Sequence, residues 1–191
     1  PYRVAAKMAL FDQQCGGRAL LGFGRGLSRR EYAAFGIPMD EARPRFDEGT
    51  QLVVEALDRG YMEADTSCFK QPRAEIRPRP TRTFNDRVYS IGVSPDSAVQ
   101  AAVLGARLMV LAQPRVVFCD MALLSSQYRW REVRGAAPPP PVCGQLVYCD
   151  RDAARANELG ERYVKNYFAT VVEHYEIHGK HFQGTKGYEF Y

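Results

Sequence analysis

Several things are missing from these 191 residues, and each absence removes a class of protein. No apolar run approaches the roughly 20 residues that span a bilayer, and no charged, apolar, small-residue leader opens the chain, so a cytoplasmic protein is expected. The five cysteines, Cys15, Cys68, Cys119, Cys143 and Cys149, are odd in number, scattered and never spaced CxxC. They read as reduced thiols, not as a disulfide framework or a zinc ribbon. His174, His178 and His181 fall at helical spacings, yet no carboxylate pair of matching spacing completes a shell and Gly179 interrupts the helix, so no metal is predicted. No Ser/His/Asp arrangement is supported by spacing, and the catalytic residues stay unassigned. Both familiar phosphate loops are also lacking: G-x-G-x-x-G would need glycine where Leu27 stands, and no G-x-x-x-x-G-K-[ST] occurs.

What is present is ample material for a core, 46% hydrophobic with 12% aromatic residues, and a modest net charge of +4. That charge resides in one stretch, where Lys70, Arg73, Arg77, Arg79, Arg82 and Arg87 stand against Glu75 and Asp86. The stretch is nearly without the aromatics that stack on bases, so it reads as a solvated loop between two elements, with no nucleic-acid partner.

Along the chain, helical and strand patterns alternate. Val4, Met8 and Phe11 outline a helix that stops at Gly16-Gly17, and Arg18–Gly24 has the length of a buried strand. Phe46, Leu52, Val53 and Leu57 mark a helix closed by Gly60. A hairpin-like, proline-rich excursion follows, then a strand over Arg87–Val93 and a well-marked helix with Ser94 as N-cap, Pro95 in the first turn and Gly105 as stop. "ARLMVLA" is the next strand, Met121–Glu132 a helix, "APPPP" a rigid connector and Val142–Cys149 a fourth strand. A long helix runs from Asp152 onward, with Leu159, Tyr163, Tyr167 and Val171 on one side, and residues 180–191 form a glycine-rich segment expected to be mobile. This alternation predicts an α/β fold with a parallel sheet, either doubly wound or closed as a (β/α)8 barrel. Four strands cannot close a barrel of the usual size, and the chain starts at Pro1 and ends abruptly, so a piece of something longer is expected.

In parallel α/β folds ligands lie at the carboxyl ends of strands. The residues to weigh are therefore Gly24–Ser28, Val93–Ser97, Ala112–Arg115 and Cys149–Asp152. In "GFGRG" Arg25 offers a planar fork to phosphate oxygens among glycines that admit a ligand closely; the alternative is a tight turn with a surface arginine. In "VSPDS" the Ser94 and Ser97 hydroxyls and the helix-start amides form an anion site, or simply cap a helix whose Asp96 repels phosphate.

Taken together, "FDQQCGGRALLGFGRGLSRREYAAFG", "GYMEADTSCFK", "VSPDSAVQAAVLG" and "TKGYEF" give a chain that resembles the luciferase-like flavin monooxygenases, of the bacterial luciferase alpha-subunit type. The resemblance implies a (β/α)8 TIM barrel, of which this chain covers roughly strands 4 to 7 in one domain over 1–191, with 180–191 as the start of a mobile active-site loop. It also implies the site. Arg25, with Leu27 beside it, grips the phosphate of flavin mononucleotide (FMN), Ser94 and Ser97 supply hydroxyls to the same phosphate, and Gly24 and Val93 lie at the cofactor. The implied chemistry is oxygenation of a small organic substrate by reduced FMN and O2 through a C4a-hydroperoxide. A separate reductase would deliver the flavin, and the protein would be a homo- or heterodimer. Gly24 stands where the alpha subunit has a reactive cysteine, Val93 where it has glutamate, and Ala112 and Phe168 where it has tryptophan, so light emission is not implied. Two other functions share the fold: a non-catalytic flavin-binding or partner subunit, and a deazaflavin-dependent oxidoreductase.

Overall fold

The structure, a computed structural model, describes residues 1–111 and 116–189, with 116–118 described by backbone alone. In chain order the elements are α1 (Tyr2–Gln14), β1 (Leu21–Phe23), α2 (Arg29–Ala34), a 3-10 turn at Met39–Glu41, α3 (Ala42–Arg59), β2 (Tyr61–Asp65), β3 (Lys70–Glu75), β4 (Val88–Ile91), α4 (Pro95–Leu104), β5 (Arg107–Leu111), α5 (Val116–Arg134), β6 (Val142–Gly144) and α6 (Ala153–His174). They fall into two compact units, one of Pro1–Gly24 with Pro44–Gly144, the other of Arg25–Arg43 with Gln145–Tyr191.

The first unit carries the expected parallel sheet, in the order β1-β4-β5-β6, with every neighbouring pair parallel. Alternation sorts its side chains: Leu21, Val88, Ser90, Leu108 and Val110 are buried, while Gly22, Ile91 and Leu111 are exposed. The core on the buried side includes Ala5, Ala9, Val53, Ala56, Leu57, Phe84 and Leu104, with a second cluster of Ala98, Ala101, Leu108, Val110 and Ala122. Alanine at so many contact positions lets helix backbones approach closely.

The helix outlined by Val4, Met8 and Phe11 is α1; its buried residues are Ala5, Ala9 and Asp12, Met8 and Tyr2 pack against the core, and Val4 and Phe11 are 48% and 50% exposed. Two other expectations are corrected. The fourth strand ends at Gly144, the partner of Leu111, instead of Cys149. And α5 begins at Val116, five residues before Met121.

The basic stretch is built into the fold. It begins with β3, the second strand of the antiparallel hairpin β2–β3, the excursion expected from sequence. Its arginines then serve the backbone: Arg79 donates to the carbonyls of Asp58 and Arg59 at the end of α3, and Arg82 donates to Gly17 and pairs with Asp86. Helix α4 ends the same way, with Arg134 donating to Ala102 and Val103. Arg79 lies over Gly60 (φ +81°) and Arg134 over Gly105 (φ +75°), where a Cβ would strike the guanidinium. Helix-end carbonyls that lack intrahelical partners are thus satisfied by side chains remote in sequence.

Arg87 is buried. Its guanidinium pairs with Asp12, donates to the carbonyls of Gly17, Ala19, Arg82 and Thr83, and lies 4.0 Å from the ring centroid of Phe84. The Asp12 carboxylate also accepts the Thr81 amide at 2.8 Å. This ion pair ties α1 to the strand β4 and to the loop before it.

Glu48 on α3 braces the β2–β3 turn, accepting the Ser67 hydroxyl and the Cys68 amide. Hydrogen bonds from Ser67 first, then Thr66, outweigh its burial and hold its carboxyl down to about 2. A carboxyl lowered on folding stabilises the fold above its unfolded value near 4.5, and that contribution disappears as pH falls toward 2. Glu48→Gln is therefore expected to flatten the decline of unfolding free energy between about pH 4.5 and 2, as measured by urea melts across that range; an unchanged slope would refute this role.

In the second unit, α2 is not among the elements expected from sequence, although its signature is present. Ser28 and Glu31 form S-x-x-E, and the Glu31 amide donates to Ser28 Oγ at 3.4 Å. The long helix expected from Asp152 onward is α6, and Asp152 itself stands just outside it as the cap, accepting from the Arg155 amide at 2.9 Å. A small core of Ala42, Phe182 and Tyr188, joined by Leu27, Tyr32, Met39 and Ile177, holds this unit together.

Candidate functional site

In the first unit the parallel pairing of β1 with β4, Phe23 against Ser90, brings Gly24 and the Val93–Ser94 turn to the same end of the sheet. Gly24 is exposed, with nothing within 4 Å of a Cβ placed on it, and Val93 is half-buried. Beyond Val93 the chain enters α4 through the predicted cap. Ser94 is 7% exposed, accepts from the Ser97 amide at 3.3 Å, and lies 3.0 Å from the Ser97 hydroxyl. Asp96 is exposed. Two hydroxyls and the first-turn amides, where the helix dipole is positive, are therefore gathered at the carboxyl end of β4.

Gly92 makes this arrangement possible. A Cβ there would lie 2.7 Å from Leu108 Cδ1 and 3.0 Å from the Ala98 amide nitrogen, so the strand end can approach the start of α4 only without a side chain. The chemistry available is that of hydrogen-bond donors for an anion.

In the second unit the structure places Arg25 on an aromatic bed. Its guanidinium carbon lies 3.9 Å from the ring centroid of Tyr188, whose side chain is fully buried. The Tyr32 hydroxyl donates to the Arg25 carbonyl. Leu27, expected beside the phosphate, has its side chain packed against the Ala42–Phe182–Tyr188 core, which leaves its backbone as the part able to meet a ligand.

One residue missed by sequence reasoning belongs with Arg25. Arg43, in the first turn of α3, flanks Gly187 together with Arg25: a Cβ at Gly187 would lie 2.8 Å from Arg25 Nη1 and 3.4 Å and 3.7 Å from Arg43 Cβ and Nε. The Glu189 carboxyl responds to this environment. Its own amide and that of Gly187 lead in holding it below the usual range, and the Arg25 and Arg43 charges add to the effect.

The remaining candidates are dispersed. Ala112–Arg115 lie outside the described residues, as do Phe190 and Tyr191 of the glycine-rich segment. Cys149 is exposed in the second unit. His174 meets Glu31 at 3.0 Å and His181 stacks on Phe182, and the described residues contain no group of three or more His, Cys, Asp or Glu able to hold a metal. Over 180–189 the segment is folded as turns around the buried Phe182 and Tyr188. No helix among the described residues is long and apolar enough to cross a membrane.

A parallel α/β sheet with anion-accepting donors at the carboxyl ends of its strands defines a class of protein that takes its ligand at that edge. Within that class the chain belongs to the luciferase-like monooxygenase family, whose model it matches over residues 1–189. It is 23% identical over 201 residues to the alkanal monooxygenase alpha chain of Aliivibrio fischeri, covering 100% of this chain and 54% of that relative. Among solved structures it is similar to monooxygenase RslO1 from Streptomyces bottropensis, with a TM-score of 0.80, 23% identity, and coverage of 92% and 54% of the two chains. It is also similar to the oxygenating constituent of 3,6-diketocamphane monooxygenase from Pseudomonas putida, solved with FMN, with a TM-score of 0.70, 12% identity, and coverage of 89% and 52%. The chain spans about half the length of the relatives it matches.

Proposed function

We propose that this chain is part of a flavin-dependent monooxygenase that uses reduced FMN and O2 to oxygenate a small organic substrate. The observation that supports this most directly is the family match over residues 1–189. The donor set fits the group: a phosphate dianion asks for hydroxyls, amides and guanidinium forks, and Ser94, Ser97, the start of α4 and Arg25 are of those kinds. Asp96, in the first turn of α4, is exposed, so solvent weakens its repulsion of a phosphate at the Ser94 cap.

In this proposal Arg25 and the Leu27 backbone, and Ser94 and Ser97, are phosphate ligands, with Arg43 added to them, and Gly24 and Val93 lie near the ring. Reduced FMN supplies the redox chemistry by activating O2 at its C4a position; the chain's part is to bind, orient and exclude water. The barrel of the family, with this chain as roughly strands 4 to 7, a mobile segment at 180–191, a reductase as flavin donor and a dimeric assembly belong to the same proposal.

The test is stopped-flow mixing of the full-length protein, loaded with reduced FMN, against O2. A transient with the absorbance of a C4a-hydroperoxide, lasting well beyond the oxidation of free reduced FMN, is the expected result. Oxidation at the free-flavin rate with bound FMN would leave a flavin-binding subunit, and binding of deazaflavin in place of FMN would move the protein to the oxidoreductases of that cofactor.

A further inference from the structure

Arg25 has a long side chain that loses rotamer freedom when held in one geometry, so a guanidinium that grips a phosphate gains from being held beforehand. The structure supplies a holder that sequence did not suggest. The Tyr188 ring lies under the Arg25 guanidinium at 3.9 Å from carbon to centroid, a cation–π geometry. At the other end of the same residue, the Tyr188 hydroxyl donates to the Gly26 carbonyl at 2.8 Å and lies 3.2 Å from the Tyr32 hydroxyl, which itself donates to the Arg25 carbonyl. Tyr188, which is fully buried and anchored beside Phe182, thus holds the Arg25 side chain directly and the next carbonyl of the chain, while Tyr32 holds the Arg25 carbonyl.

We propose that Tyr188 is the positioning residue for the Arg25 guanidinium, so that the folding of the 181–189 segment sets the strength of the grip on the cofactor's phosphate. The inference rests on the phosphate reading of Arg25. Tyr188 itself touches no phosphate; it acts through Arg25. Its chain neighbour Gly187 adjoins both Arg25 and Arg43, which places the same segment against both cations.

The experiment measures the preference of the full-length protein for FMN over riboflavin, which lacks only the phosphate. A tyrosine that merely supports the fold would change both affinities by the same factor and leave the preference intact. Tyr188→Leu is expected to lower the preference about tenfold, and to change it by less than twofold when Arg25 is already alanine, because the two act in series. Since a buried tyrosine can be needed for folding, a second comparison keeps shape and hydrogen bonding constant. Tyr188→Phe is set against 3,4,5-trifluorophenylalanine at the same position, whose ring face attracts a cation less. The fluorinated ring is expected to lower the preference by a further threefold or so.

An unchanged preference in Tyr188→Leu, or equal preferences for the phenylalanine and trifluorophenylalanine proteins, would overturn the proposal. If Arg25→Ala leaves the preference unchanged, the phosphate reading itself fails and the role of Tyr188 falls with it. If Arg25→Ala abolishes the preference while the Tyr188 variants keep it, only the positioning role is lost.

Discussion

Arg87→Met is expected to destabilise the fold by about 3–5 kcal/mol, measured by urea unfolding near neutral pH. Arg87 and Asp12 are both buried, and Arg87 is the hub for four backbone carbonyls in addition to the carboxylate. Removing the cation strands the Asp12 carboxylate in the core with backbone amides such as that of Thr81 but without its paired charge, and it removes the donors to those carbonyls. The double variant Asp12→Leu with Arg87→Met is expected to be more stable than Arg87→Met alone, because no charge is then stranded. The pH dependence carries the same sign as that of Glu48. Burial pushes the Asp12 carboxyl up, but the Arg87 hydrogen bond, the Thr81 amide and the Arg87 charge outweigh it and leave it below the ordinary aspartate value. The stabilisation is therefore complete above that ordinary value and is lost as pH falls below it. Equal stability of wild type and Arg87→Met would show that the pair contributes nothing net.

Arg25→Ala is expected to weaken FMN binding by about 10- to 100-fold in the full-length protein, since charge-assisted hydrogen bonds contribute about 1.5–3 kcal/mol and each 1.4 kcal/mol is tenfold. Riboflavin affinity is expected to stay within about twofold, because a ligand without phosphate gives the guanidinium nothing to hold. Fluorescence quenching titrations with the two flavins separate the outcomes. An FMN affinity equal to wild type would remove Arg25 from the phosphate site.

Much of this site is legible in the amino-acid sequence. Ser94 followed by Pro95 and closed by Gly105 names a capped helix from local chemistry alone, and each of these residues takes the role its type predicts. Arg25 stands out because it sits among glycines after an apolar run. Arg43 does not, because what makes it notable is its adjacency to Arg25 around Gly187, and sequence distance hides that. Tyr188 is hidden for a similar reason: in "TKGYEFY" it looks like one more aromatic in a polar, glycine-rich tail, while in the fold it is buried beneath a cation from the opposite end of the chain.

The basic stretch is legible in part. Lys70, Arg73, Arg77, Arg79 and Arg82 are exposed, as a solvated stretch predicts, and only Arg87 is buried. No count of charges shows that Arg79 and Arg82 also donate to carbonyls at the end of α3 and beyond α1, or that Arg87 meets Asp12 in the core.

What the sequence determined by itself is whatever depends on neighbours a few residues apart: the alternation of helix and strand, the cap at Ser94, the hairpin, and through its ordered motifs the family. What only the tertiary structure decided is which face of a helix is buried, where a strand stops, and which distant groups share one environment. Val4 and Phe11 keep a helical period yet face outward, β6 ends where β5 ends, and Arg25 rests on Tyr188. The physical reason is common to all three. Periodicity and capping are set by local backbone geometry, whereas burial, strand register and cation–π contact depend on a partner surface supplied by another part of the chain.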